Sequence, residues 1–171
     1  MNTWPKLSPD SSIWTAPDWR AMSGDELRDH LEQMEAVGAA YKFVYESGRD
    51  GGGLEARVAA MAKLTPSKNA RVWRSYKVPG QEPEVSWAEH DAGLTPVMGA
   101  YPDVRHDDVT YHPFPGGVVF QCIYSFTASD GTEVRFPAAL VWYIDRDGKI
   151  AYIAEHFESH DADRWFSILE S

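Results

Sequence analysis

Residues 104–158 run as four long stretches of apolar and β-branched side chains, cut at Pro115-Gly116-Gly117, Ser129-Asp130-Gly131 and Arg146-Asp147-Gly148. Asp-Gly steps between such stretches mark tight hairpins, because glycine adopts the positive φ those turns require without steric cost. The stretches therefore read as successive antiparallel strands at 104–112, 118–128, 133–144 and 149–158. The last two are long and almost continuously apolar. That pattern suits a sheet covered on one face and lining a cavity on the other.

Upstream the periodicity changes. Ser23 with Glu26 three residues on has the form of a capping box. Leu27, Leu31, Met34, Val37, Tyr41, Val44 and Tyr45 then recur at three- and four-residue steps, one stripe of a long helix ended by Gly48 and Gly51-Gly52-Gly53. A second, shorter helix is predicted at 54–64. Residues 70–78 alternate as a strand, with a helix from Thr65 as the competing reading. A third helix follows at 86–99, weakened by Gly93 and Pro96. Residues 1–22, with Trp4, Trp14 and Trp19 among prolines, read as an N-terminal arm, and residues 23–171 as one domain. The predicted class is α+β, with N-terminal helices packed on a strongly curved antiparallel sheet.

A chain of 171 residues is long enough for one domain with a real core. The formal charge of −10 opposes binding to nucleic acid, whose phosphates need a basic face, and to anionic membrane surfaces. No apolar run approaches the roughly 18 residues of a membrane span. The lone Cys122 forms no internal disulfide, and the Cys and His residues lack zinc spacing, so neither a metal nor a cofactor is expected. The cytoplasm is the expected compartment. An aromatic content of 13% is high; such rings fill cores and also line pockets for flat apolar ligands.

The closing segment Asp147-Gly148-Lys149-Ile150-Ala151-Tyr152-Ile153-Ala154-Glu155-His156-Phe157-Glu158 resembles the last strand of SnoaL-like polyketide cyclases, limonene epoxide hydrolases and phenazine-biosynthesis proteins. Tyr101-Pro102-Asp103 is similar to the aromatic-Pro-Asp step that precedes the sheet in the same group. Tyr45-Glu46-Ser47-Gly48-Arg49-Asp50 resembles a helix end of scytalone dehydratases and ketosteroid isomerases. The resemblance covers residues 25–165 and implies the cone-shaped NTF2-like fold. It also implies chemistry on ring-containing small molecules, or plain binding of them, since this fold hosts both.

The resemblance makes Glu155 the acid or base of the last strand, pointing into the cone. Strand alternation then turns Ile153 and Phe157 inward beside it and His156 outward. A carboxylate among apolar side chains suits proton transfer, while a sheet-edge ion pair is the competing reading. Tyr41 falls where isomerases of the group keep an oxyanion-stabilising tyrosine, and Tyr45-Glu46 resembles a dehydratase tyrosine-acid pair. Core tyrosines satisfied by backbone are the alternative for both. His90 on the third helix, and His106 and His112 on one face of the second strand, are candidates for the other half of an acid–base couple, with a surface or core histidine as the alternative for each. Where isomerases carry an acid on the first strand, this chain has Val72-Trp73-Arg74-Ser75-Tyr76, so Arg74 or Tyr76 would face the ligand. The Arg and Asp of epoxide hydrolases are absent at Ile123-Tyr124-Ser125, which disfavours that reaction.

Parity adds Gln121, Ser125 and Tyr143 to the inferred ligand-binding set, together with Arg74, Tyr76, Ile153 and Phe157. It also turns Arg135, Pro137, Ala139 and Val141 inward. Trp142 and Tyr152 then face outward, as anchors of a homodimer or higher homo-oligomer. His156, Glu158 and His160 share a side near the chain end but are not read as metal ligands. The expected function is a cofactor-independent lyase, dehydratase, isomerase or cyclase working by acid–base catalysis on an aromatic or polyketide-like molecule. A non-catalytic binding protein for an apolar metabolite is the alternative.

Overall fold

Ser23 and Glu26 fix the start of the first helix reciprocally: the Glu26 carboxylate accepts from Ser23 N–H at 2.8 Å, and the Ser23 hydroxyl accepts from Glu26 N–H at 3.3 Å. Helix α1 (Gly24–Ser47) buries Met34, Tyr41, Val44 and Tyr45 along the stripe read from its periodicity. That face lies across β3 (Arg105–Phe114) and β4 (Gly117–Thr127). Two polar ties hold the docking, Tyr111 Oη donating to Glu35 at 2.6 Å and Gly116 N–H donating to His30 Nε2 at 2.9 Å.

The computed structural model describes residues 20–47, 66–76, 82–101, 103–128, 130–145 and 148–158. The helix expected at 54–64 and nearly all of the N-terminal arm lie outside the described residues. Strand β1 (Pro66–Arg74) settles the ambiguity at Thr65 in favour of a strand, with Pro66 at its first position, where a missing N–H costs no ladder bond. A short strand β2 (Glu84–Ser86) leads into α2 (Trp87–Ala100), which Ser86 and Glu89 cap with a second capping box. Pro96 sits inside α2 without ending it.

The remaining strands are β5 (Glu133–Ile144) and β6 (Ile150–Phe157). All six form one sheet in the order β2-β1-β6-β5-β4-β3. The meander from β3 to β6 is antiparallel as expected, and Gly131 and Gly148 turn its hairpins with φ of 81° and 73°. The sheet as a whole is mixed, a correction to the antiparallel expectation, because β1 pairs parallel with β6. Strands so far apart in sequence have the long connection that a parallel neighbour needs. The result is helix packed on a curved sheet, with the core between them.

Register decides which side chains enter that core. Phe120, Cys122, Tyr124 and Phe126 of β4 pair with Leu140, Ala138, Phe136 and Val134 of β5, and all are buried. Trp142 opposes Ile153 and is 1% exposed. The expected parity of β5 is thus reversed: Trp142 faces the core, and Arg135, Pro137, Ala139, Val141 and Tyr143 face the opposite side. Both faces of this strand are largely apolar, so alternation carried no contrast between them. On β3 a bulge between Asp107 and Thr110, with Asp108 at φ 53°, flips the parity midway. His106 is consequently buried and His112 exposed, not on one face as expected.

Candidate active site

The ends of β1 and β6, together with α2, bring Arg74, Tyr76, Glu155 and His90 together on the inner face. Arg74 and Glu155 are register partners across the parallel pair. Ser75 continues the pairing: its N–H donates to Glu155 O at 2.9 Å, and its hydroxyl accepts from Phe157 N–H at 2.9 Å. This places Tyr76 over β6, where its hydroxyl donates to Glu155 Oε2 at 2.5 Å. The Tyr76 ring stacks on Phe157 with centroids 4.6 Å apart and planes at 13°. From α2, His90 points its Nε2 to within 3.7 Å of Glu155 Oε1.

All four groups are buried, with Glu155 at 6% and Arg74 at 3% exposure. Burial, followed by the adjacent Glu155 charge, pushes the Tyr76 phenol well above its ordinary value, so it acts as a neutral donor. Burial also lowers His90 below its ordinary value, against the opposing pull of Glu155, which favours the neutral imidazole. His90 Nδ1 is buried with no hydrogen-bond partner among the described residues. Arg74 Nη2 donates to Glu82 O at 2.8 Å, holding a guanidinium charge near the group. Of the two carboxylate oxygens, Oε2 is tied by Tyr76, and Oε1 faces the imidazole.

A second inner group is aromatic. Tyr41 meets Trp142 edge-on at 3.6 Å and Phe120 at 5.5 Å, and Tyr45 lies 4.4 Å from the His106 ring. Ring contacts join the two groups: His106 to Tyr124 at 4.1 Å, Tyr124 to Phe157 at 4.9 Å, and Phe157 to Tyr76. Tyr41 and Tyr45 are therefore inside, but in the aromatic group rather than beside Glu155. Ile153 faces inward between β1 and β5. Trp142 and Tyr124 line the same interior and were not among the expected site residues, while His106, one of the three candidate partners for Glu155, sits in the aromatic group between Tyr45 and Tyr124. Their placement follows from cross-strand register and the β3 bulge, neither of which periodicity reveals.

Four expected site residues lie elsewhere. Ser125 is buried on the outer side, where its hydroxyl donates to Asp107 Oδ2 at 2.8 Å, and Arg135 Nη1 donates to the same oxygen at 3.0 Å. Gln121 and His112 are exposed on that side, and Tyr143 packs there against Tyr152 at 6.0 Å. The physical reason is the common one: a one-residue error in parity turns a whole strand over. The outer side carries an open groove of about 660 Å³ that includes Thr110, Gln121, Ile123, Pro137, Ala139 and His156. No group of metal-ligand type occurs among the described residues, and no described helix is long and apolar enough to cross a membrane.

No family model matches the chain, and no curated protein matches it in sequence. Solved structures do match. AclR of Streptomyces galilaeus, provisionally assigned as a hydroxylase, superposes with a TM-score of 0.60 at 12% identity, over 79% of this chain and 98% of that one. An NTF2-like protein of unknown function from Burkholderia pseudomallei gives 0.56 at 12% identity, over 79% and 97%. A provisionally assigned polyketide cyclase from Pseudomonas putida gives 0.52 at 18% identity, over 76% and 94%. With helix α1 laid across a curved six-stranded sheet, this chain has the NTF2-like fold.

Proposed function

We propose that the chain is a cofactor-independent acid–base enzyme acting on an aromatic or polyketide-like molecule, with an outcome of elimination, isomerisation, cyclisation or bond cleavage. The observation that carries this reading is the buried set of Glu155, Tyr76 and His90, bordered by the rings of Phe157 and Tyr124. Glu155 Oε1 moves the proton, Tyr76 holds the other oxygen, and His90 exchanges a proton with the substrate or with Oε1. A carboxylate and a neutral imidazole inside an apolar wall suit transfers to and from carbon or a leaving oxygen. Arg74 supplies positive charge where an enolate or phenolate forms. The similarity to a provisionally assigned polyketide cyclase supports the substrate class.

The test is turnover by Glu155→Gln against a panel of cyclic polyketides and hydroxylated aromatics. The variant should keep the circular-dichroism spectrum of the parent and lose at least a hundredfold in kcat, the ordinary range for a general acid or base. An active variant sinks the proposal.

A non-catalytic binding role is the second reading, favoured by how fully Trp142, Phe120 and Tyr41 fill part of the inner face. It requires a bound aromatic ligand to be recovered with unchanged mass and connectivity. For assembly, the outer apolar row of Trp73, Val141 and Val119, flanked by Tyr152, suits a homodimer. A purely monomeric light-scattering profile at micromolar concentration would count against that.

A further inference from the structure

Strand β1 ends at Arg74, two residues before the phenol that holds Glu155. One backbone bond continues past that end, Ser75 N–H donating to Glu155 O at 2.9 Å. In a parallel ladder the same residue would next accept from Phe157 N–H with its own carbonyl. Here a side chain takes that place. The Ser75 hydroxyl accepts from Phe157 N–H at 2.9 Å and donates to Phe157 O at 3.2 Å. A hydroxyl can do both at once, because it carries one donor and two acceptor lone pairs. The pairing of β1 with β6 is thereby carried one residue beyond the strand.

Tyr76 follows directly, and its ring lies on the ring of Phe157, with centroids 4.6 Å apart and planes at 13°. Stacked rings tolerate sliding, since dispersion is the sum of many small contacts. The bond from Tyr76 Oη to Glu155 Oε2, at 2.5 Å, does not tolerate it, because a hydrogen bond weakens steeply with distance and angle. The stack alone therefore leaves the phenol's place along β6 loosely set. Ser75 supplies what is missing: it clamps both main-chain groups of Phe157, the residue on which Tyr76 rests.

We infer that Ser75 is a positioning residue, whose hydroxyl keeps Tyr76 in register with Phe157 and so sets the bond to Glu155. Alanine cannot do this, and threonine can. The inference deepens the catalytic reading and rests on it for the kinetic effect alone, since the position of the phenol is a property of the protein without ligand.

The experiment follows the Tyr76 hydroxyl proton by NMR in the full chain. A phenol proton in a short bond to a carboxylate resonates downfield of the amide protons, and Tyr76→Phe assigns it by deleting it. Ser75→Ala should move this resonance upfield, and Ser75→Thr should restore it. In turnover of cyclic polyketides and hydroxylated aromatics, Ser75→Ala should lower kcat roughly tenfold or more, as small misplacements of a site do, and leave KM nearly unchanged. In a Tyr76→Phe background the same substitution should alter kcat by less than about twofold, because the two act as one unit. A parent without the resonance, a resonance unmoved by Ser75→Ala, a threonine variant as impaired as the alanine one, or an undiminished kcat loss in the Tyr76→Phe background would each overturn the inference. If Ser75→Ala fails to fold, Ser75→Cys keeps the shape with a weaker acceptor and should shift the resonance in the same direction. Undiminished turnover by Glu155→Gln would sink the catalytic reading, while the resonance would still decide the role of Ser75.

Discussion

Tyr76→Phe removes one oxygen atom from the centre of the proposed site and little else. The ring keeps its stack on Phe157, at 4.6 Å and 13°, so no packing is lost. What goes is the 2.5 Å bond to Glu155 Oε2, a buried carboxylate oxygen. Hydrogen bonds to charged groups contribute about 1.5–3 kcal/mol net, and the loss is greatest when the charged partner stays behind unsatisfied. The expected destabilisation is therefore about 1.5–3 kcal/mol, read from urea melts with an unchanged m-value. For a domain of this size that is a Tm lower by roughly 4–8 °C. Adding Glu155→Gln completes a double-mutant cycle. The amide oxygen still accepts from a phenol but carries no charge, so the hydroxyl should be worth about 1 kcal/mol there and the coupling should exceed roughly 0.5 kcal/mol. As a positioning residue, Tyr76 should affect kcat more than KM. A Tyr76→Phe variant as stable as the parent to within about 0.5 kcal/mol, with no coupling to Glu155, would refute the idea that this phenol holds a buried carboxylate.

Other consequences are more local. Gly38→Ala would ordinarily stabilise a helix by about 1 kcal/mol, but here a Cβ runs into the Tyr111 ring. Because Tyr111 is tethered to Glu35, the sign should reverse to a net loss of about 1–2 kcal/mol in thermal or urea unfolding. Ser125→Ala should lower stability by about 1 kcal/mol through Asp107 and leave kcat/KM unchanged, since the hydroxyl lies behind the sheet. His90 is held below its ordinary value near 6.5, so the unfolded chain takes up a proton before the folded one does. The stability this contributes is complete above about pH 6.5 and is lost as pH falls toward the lower folded-state value. A plot of Tm against pH should drop more steeply below 6.5 for the parent than for His90→Gln, and parallel curves would exclude the imidazole as the cause. His156, also lowered by burial, contributes in the same direction, and His156→Gln is the matched control.

Local chemistry was written plainly in the linear chain. The capping box at Ser23 and Glu26, the buried stripe from Met34 to Tyr45 and the Asp-Gly hairpins all follow from interactions within a few residues, and the structure keeps them. The inward direction of Glu155 was also legible, but through family resemblance and alternation within one short strand, not through energetics. What alternation failed to supply was parity wherever both faces of a strand are apolar. On β5, Trp142 and Tyr143 are both plausible core residues, and only pairing with Ile153 and Tyr152 tells them apart. The bulge at Asp108 likewise separates His106 from His112 without any change in composition to announce it. Tertiary structure alone decided that β1 runs parallel beside β6, and this contact carries Tyr76 and Arg74 to Glu155 across some eighty residues of chain. Helix caps and tight turns are short-range equilibria that each segment settles by itself. Register, bulges and strand order are settled jointly by segments distant in sequence, and the candidate site is built almost entirely from them.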